Sequence, residues 1–336
     1  MCAPPSSLLN NSSKNHNDVP PSYRITLVMT TLYVLSGVTQ PLLMELAKQA
    51  GLADRSCQIY MQFYYLGTAS VALPAWNDAP LSLRTTLKTA SVAVIDIAAQ
   101  TLNYSGATMA GPTIFAIVYS SVTIWCALLS RMVLGRVMTH TQWLGVFAVF
   151  FGLGITGMDS LDLGTEVARG TALVGIGSAL HAFMYVASEV IMNNSSDGDG
   201  AISARKYCAI YGTVAFCGYL LWQLYYTRVH FDDLVLTPMR TSRTSLLYAL
   251  AILLSIAAMS ALHSITFFHT VKHVPGGSTS AGVLKALQAV LVFAATSAAF
   301  CHRVGGEEMC FTMDKMASLC VVVAGGGLFR RGPGKK

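Results

Sequence analysis

Continuous apolar segments of spanning or near-spanning length recur ten times along this chain, and that recurrence limits the folds open to it. They cover residues 25–46, 58–75, 87–104, 108–133, 142–158, 170–192, 207–227, 245–270, 278–300 and 315–329. About 20 residues cross a bilayer as a helix. The apolar runs do not alternate with polar residues, which excludes a closed β-barrel. The predicted class is therefore an all-α membrane protein with ten transmembrane helices. Charge content agrees: 11% of the 336 residues are charged, where a soluble domain carries roughly a quarter.

The segment 1–24 is rich in Pro, Ser and Asn and reads as a disordered cytosolic tail. It has no apolar core of a signal peptide, so the first apolar helix is expected to act as the insertion signal. The longest polar connector, 193–206, contains NNSSDGDG and marks the middle of the chain. It suggests a first five-helix unit over 25–158, a second over 159–329, and a basic cytosolic tail at 330–336. Helices five and ten align without gaps: Thr139, Gln142, Gly145, Gly152 and Gly154 match Thr312, Lys315, Ser318, Gly325 and Gly327, an offset of 173. Gly111–Thr113 opens the fourth helix, and Thr279–Ala281 holds the matching place in the ninth, an offset of about 168. An odd number of helices per unit turns the second copy upside down, giving two inverted five-helix repeats.

Formal net charge is +6, but most cations fall at helix ends, which argues against a nucleic-acid surface. With the N-terminus in the cytosol, thirteen Lys and Arg lie on that side, eight lie opposite, and Lys285 is inside the membrane. Asp54, Asp159, Asp162, Glu166, Asp232, Asp233, Glu307, Glu308 and Asp314 all fall on the far side. Both termini are predicted in the cytosol, and the sequons at Asn193 and Asn194 stay unmodified there. Golgi, other endomembrane and plasma membrane all fit. The eight Cys contain no CxxC pair and read as small core residues. Cys301 and Cys310 flank the last far-side loop, where a disulfide and two free thiols are both open.

The passage GPTIFAIVYSSVTIWCALLSRMVLGRVMTHTQWLGVFAVFFGLGI, within 105–157, resembles the EamA-like repeat of the drug/metabolite transporter superfamily. A helix ends in a basic turn, Thr139-x-x-Gln142 forms a capping box into the next, and Gly-x-Gly closes it. The resemblance covers nearly the whole chain after residue 25. The second half is similar to nucleotide-sugar transporters: GVLKAL at 282–287 resembles their ninth-helix segment, AIYGTVAF at 209–216 their seventh helix, and Glu45-x-x-Lys48 the end of their first. The Asn that often precedes the ninth-helix Lys is absent, which leaves other organic-solute carriers open. The resemblance implies a carrier in which Lys285 contacts the substrate's phosphate.

The residues themselves admit several chemistries. Lys285 lies about 10 Å inside its helix. It either meets an anion in a central cavity, pairs with an intramembrane carboxylate, or snorkels to the surface. Gln288, one turn on, bonds substrate or a neighbouring helix. Asp96 is the one carboxylate well inside helix three, with Gln100 and Asn103 on its face. It suits a counter-charge for Lys285, a proton site, a substrate contact or an interhelical network. His181 and His263 either titrate and bind or fill the core. Glu189, near a helix end, is expected to reach water. His269 and His273 have metal-pair spacing but no third ligand, which favours a helix-end role. The small residues of 276–282 suit close helix packing or anion contact through backbone N–H groups. Tyr119, Tyr185 and Tyr211 either stack on a base or sugar or pack.

No nucleophile–base arrangement and no phosphate loop is present, so an enzyme is not expected, nor a cofactor or a metal. The expected function is alternating-access transport of a small phosphorylated organic anion across a lipid bilayer. Its candidate binding residues are Lys285, Gln288, Asp96, Gln100, His263 and Tyr211. The alternative is an exporter of a neutral or cationic metabolite, coupled to protons through Asp96 or His263.

Overall fold

A backbone surrounded by lipid must bond within its own segment, and uninterrupted apolar runs do so as helices. The computed structural model describes residues 22–73, 81–135, 139–193, 202–301, 309–310 and 312–331, and helices and their connecting turns are the only elements among them. The predicted tail up to residue 21, residues 194–201 of the central connector with the Asn194 sequon, and the end beyond Arg331 lie outside the described residues. Tyr23 and Arg24, assigned above to the tail, already belong to the first helix.

The helices are α1 (Tyr23–Gln49), α2 (Ile59–Ser70), α3 (Leu83–Tyr119), α4 (Val122–Leu134), α5 (His140–Asp162), α6 (Thr165–Asn193), α7 (Ala204–Trp222), the short α8 (Thr237–Thr241), α9 (Leu246–His273), α10 (Gly277–Phe300) and α11 (Met313–Arg331). Polar side chains start many of them. Ser82, Ser203, Ser245 and Thr312 each accept from the N–H three residues on. The capping box before α5 closes in both directions: Thr139 N–H donates to Gln142 Oε1 at 2.8 Å, and Gln142 N–H to Thr139 Oγ1 at 3.3 Å.

The expected boundary between the third and fourth helices moves. The chain stays helical past residue 104 until Gly111, whose φ of 80° suits glycine alone, and Pro112 then restarts the helix. The predicted 108–133 helix is itself divided at Ser120–Ser121, where α3 and α4 meet at 45°.

Among the described residues, five helices are long and apolar enough to cross a bilayer: α1, α6, α7 with its π-helical extension to Thr227, α9 and α10. The bent α3–α4 pair, taken as one span, makes six. The surface is inverted relative to a soluble protein. Phe147, Phe151, Leu221, Leu247 and Leu254 are exposed, while Asp96, His181, His263, Lys285 and Gln288 are buried. The molecule has the make-up of an integral, multipass membrane protein.

Packing couples distant parts of the chain. α1 lies on α9 and α3 on α6; α2 contacts α7 and α9; α5 pairs with α11; α10 touches α1, α3 and α4. Glycine sets the closest approaches. A Cβ on Gly152 would sit 2.7 Å from Val322 Cγ2 and 3.0 Å from the Ser318 carbonyl oxygen. A Cβ on Gly325 would sit 2.8 Å from both Val149 Cγ2 and the Gly145 carbonyl oxygen.

Candidate functional site

Helices α1, α2, α6, α7, α9, α10 and both limbs of α3 surround a cavity. Its atom-free space, opening included, is about 930 Å³. Aromatic rings form much of the wall, among them Tyr60, Tyr64, Tyr104, Phe115, Tyr119 and Phe267. Five of the six predicted binding residues line it: Lys285, Gln288, Gln100, His263 and Tyr211.

Lys285 is the single Lys or Arg among the lining residues, and no Asp or Glu accompanies it. Its apolar helix carries it inward, where only 6% of the residue is exposed. Among the described residues it makes no ion pair. The neighbours are softer partners. Nζ lies 3.3 Å from His263 Nε2, 5.2 Å from the Tyr33 ring centre and 5.3 Å from that of Tyr119. The two rings offer cation–π stabilisation on either side. The bonding pattern fixes the direction of the chain behind it. An ammonium donates, so His263 Nε2 accepts and Nδ1–H donates to Ser36 Oγ at 3.0 Å. Ser36 in turn donates to the Tyr33 carbonyl at 3.2 Å. One of the three ammonium donors is thus engaged by a neutral ring, and no anion is supplied by the wall.

Of the readings left open for Asp96, its contacts fit the interhelical network and not the counter-charge or the substrate contact. It is not a counter-charge for Lys285 and does not line the cavity. It sits fully buried behind the wall, where Tyr65 of α2 and Tyr211 of α7 donate to its Oδ2. Its Oδ1 lies 2.8 Å from His181 Nδ1, off the line of a straight hydrogen bond. His181 therefore has a carboxylate neighbour and also lines the cavity.

Other predicted residues divide between wall and scaffold. Gln288 donates through Nε2 to the Tyr33 carbonyl at 2.9 Å, so part of it joins α10 to α1. Asn103 lines the cavity with both amide atoms buried and unbonded, and Gln40 is there with its Nε2 in the same condition. Such groups cost free energy until a ligand or water meets them. Glu189 does not reach water: it is buried, and its Oε2 accepts from Ser278 N–H at 2.9 Å and Ser278 Oγ at 2.5 Å, capping the first turn of α10. The His269 and His273 rings lie 4.6 Å apart, tilted by 44°, and no metal-binding cluster exists among the described residues. Cys301 and Cys310 are joined by a disulfide with Cα atoms 4.7 Å apart.

No family model matches the chain, and no curated protein matches it. One solved structure, described only as "Crystal structure of protein", aligns at 12% identity with a TM-score of 0.49, covering 91% of this chain and 96% of its own.

Proposed function

We propose that this chain is a ten-helix carrier that moves a phosphorylated organic anion, such as a nucleotide sugar, through its central cavity by alternating access. The observation that carries the reading is Lys285: a buried cation on a cavity wall that holds no carboxylate among its lining residues. An intramembrane charge is costly unless something meets it. A phosphate would supply the missing anion, and the aromatic wall suits a base or sugar ring.

Two inverted repeats fit the packing. Helices one to five would be α1, α2, residues 83–110, residues 112–134 and α5; helices six to ten would be α6, α7, α9, α10 and α11. Exchanging the halves turns the α1–α9 contact into α6–α3, α1–α10 into α6–α4, and α2–α9 into α7–α3, and all six contacts occur. The Gly152 contacts with Val322 and Ser318 become, at the offset of 173, those of Gly325 with Val149 and Gly145. Each glycine meets the counterpart of what the other meets, as at a two-fold interface. The fourth and ninth helices need a smaller offset than the one read from sequence. Gly111 and Gly276 both take positive φ just before their helices, an offset of 165. Lys285 then corresponds to Ser120 and Gln288 to Thr123, so the cation stays confined to the second half.

Liposomes containing the purified protein, offered nucleotide sugars, nucleoside monophosphates, amino acids and organic cations, test this reading. Uptake of organic phosphates is expected. Movement of cations without organic phosphate would favour the second reading, an exporter of neutral or cationic metabolites, for which the aromatic wall also has affinity.

A further inference from the structure

The polar cluster behind the cavity wall is not used by the carrier reading. We propose that Asp96 and His181 together hold one exchangeable proton, that His181 passes it between Asp96 and the cavity, and that this proton is cotransported with the anion bound at Lys285. The last clause rests on the carrier reading; the proton site does not.

Charge counting gives the stoichiometry. A carboxylate beside a neutral imidazole leaves one net negative charge inside the membrane, balanced only by tyrosine hydroxyls. A protonated imidazole beside a neutral carboxylic acid leaves one net positive charge. Either state costs several kcal/mol in a low-dielectric interior. The neutral total lies between them and contains a single exchangeable proton; two tyrosine hydroxyls already donate to the carboxylate, which places that proton on the imidazole at rest.

Geometry gives the route. Both tyrosines occupy Oδ2, which leaves Oδ1 to His181. Oδ1 and His181 Nδ1 are 2.8 Å apart, yet neither has a straight hydrogen bond. A network kept only for rigidity would satisfy both atoms. Here a small rotation of the ring makes or breaks the bond. Asp96 is sealed from the cavity, while His181 and Tyr211 both touch it and line the wall; the Tyr211 hydroxyl proton is committed to Oδ2, which leaves the imidazole to carry a proton between them. Its ring lies between those of Tyr119 and Tyr185, at 5.6 Å and 4.8 Å.

The surroundings leave few competing groups. Tyr64 and Tyr65 on α2, Tyr119 on α3 and Tyr207, Tyr211 and Tyr219 on α7 are the titratable groups around Asp96. Elsewhere on the cavity wall stand Lys285 of α10 and His263 of α9. An anion seated at Lys285 shares that cavity with His181, and anion and proton attract one another across it. By linkage, the proton then tightens the anion by the same factor.

Nitrogen NMR of the full chain, isotope-labelled at histidine and held in nanodiscs, tests the proton site without any substrate. The His181 signal is identified by its loss in His181→Gln. It is expected to be protonated in the wild type and neutral in Asp96→Asn under one and the same condition. Asparagine keeps a carbonyl oxygen for both tyrosines, so the cluster retains its shape. A signal neutral in both proteins, or protonated in both, overturns the site. Labelled uridine monophosphate entering liposomes with an entrapped pH dye tests the coupling. Label and protons should enter together in the wild type, and label without protons in Asp96→Asn. Label entering the wild type without protons overturns the coupling. If no label enters, the organic-phosphate reading is what fails, and the histidine spectra still decide the proton site.

Discussion

Lys285 takes its setting from α1, α3 and α9, which supply Tyr33, Tyr119 and His263. Lys285→Gln removes the charge and keeps a side chain of similar reach. A hydrogen bond to a charged group contributes about 1.5–3 kcal/mol, so binding of a nucleoside monophosphate should weaken roughly 10- to 100-fold. Equilibrium binding of labelled uridine monophosphate to the purified variant reads this directly, and unchanged affinity would remove Lys285 from the site. The residue was legible because a Lys inside an apolar run stands out from its neighbours. Its partners were not. Tyr33 and Ser36 are ordinary residues in a membrane helix, and Ser36 meets His263 across 227 positions of sequence. Glu189 was misread for a related reason: its place near a helix end suggests water, but α10 begins against it.

At the level of the helices, glycine spacing carries two different messages. Gly152 and Gly325 are pressed against a neighbouring helix, whereas Gly154 and Gly327 face open space. The Gly-x-Gly pattern in the sequence does not separate them, because only packing distinguishes the two faces. Gly67 is tighter still: a Cβ there would lie 1.9 Å from the Ala257 carbonyl oxygen. Gly67→Ala should therefore force α2 from α9 and cost about 1–3 kcal/mol. Gly154→Ala should be neutral or stabilise by about 0.5–1 kcal/mol, since alanine favours a helix interior. Thermal unfolding of the two variants in detergent checks both, and equal melting shifts would contradict the packing assignment. Glu189→Ala leaves Ser278 N–H without this acceptor and should cost about 0.5–2 kcal/mol, the usual loss of a helix cap.

For the whole molecule, apolar periodicity and polar punctuation made the helical class legible, and capping residues placed several helix starts. The break at Gly111 was displaced because Gly106 stays helical where it packs against Gly170 and Val174 of α6, so the third helix runs on. The proposed topology puts Ser56 and Ser203 on opposite sides of the membrane, and both are exposed. Ser56→Cys and Ser203→Cys should therefore react with an impermeant maleimide from opposite faces of sealed vesicles. Cys2 and the exposed Cys217 and Cys320 are replaced by serine in both variants; of the remaining free thiols Cys126 and Cys208 are buried, and burial pushes the Cys57 thiol above its ordinary range. Labelling of both variants from one face would contradict the ten-helix arrangement.

The central claim is that a buried, anion-free Lys285 marks the seat of a phosphorylated substrate. Counterflow of labelled uridine monophosphate into liposomes preloaded with the unlabelled nucleotide tests it most directly, with Lys285→Gln measured beside the wild type. The wild type should exchange label, and the variant should lose about tenfold or more of the rate at unchanged melting temperature. Equal rates in the two proteins, or a wild type that moves organic cations and no organic phosphate, would contradict the claim.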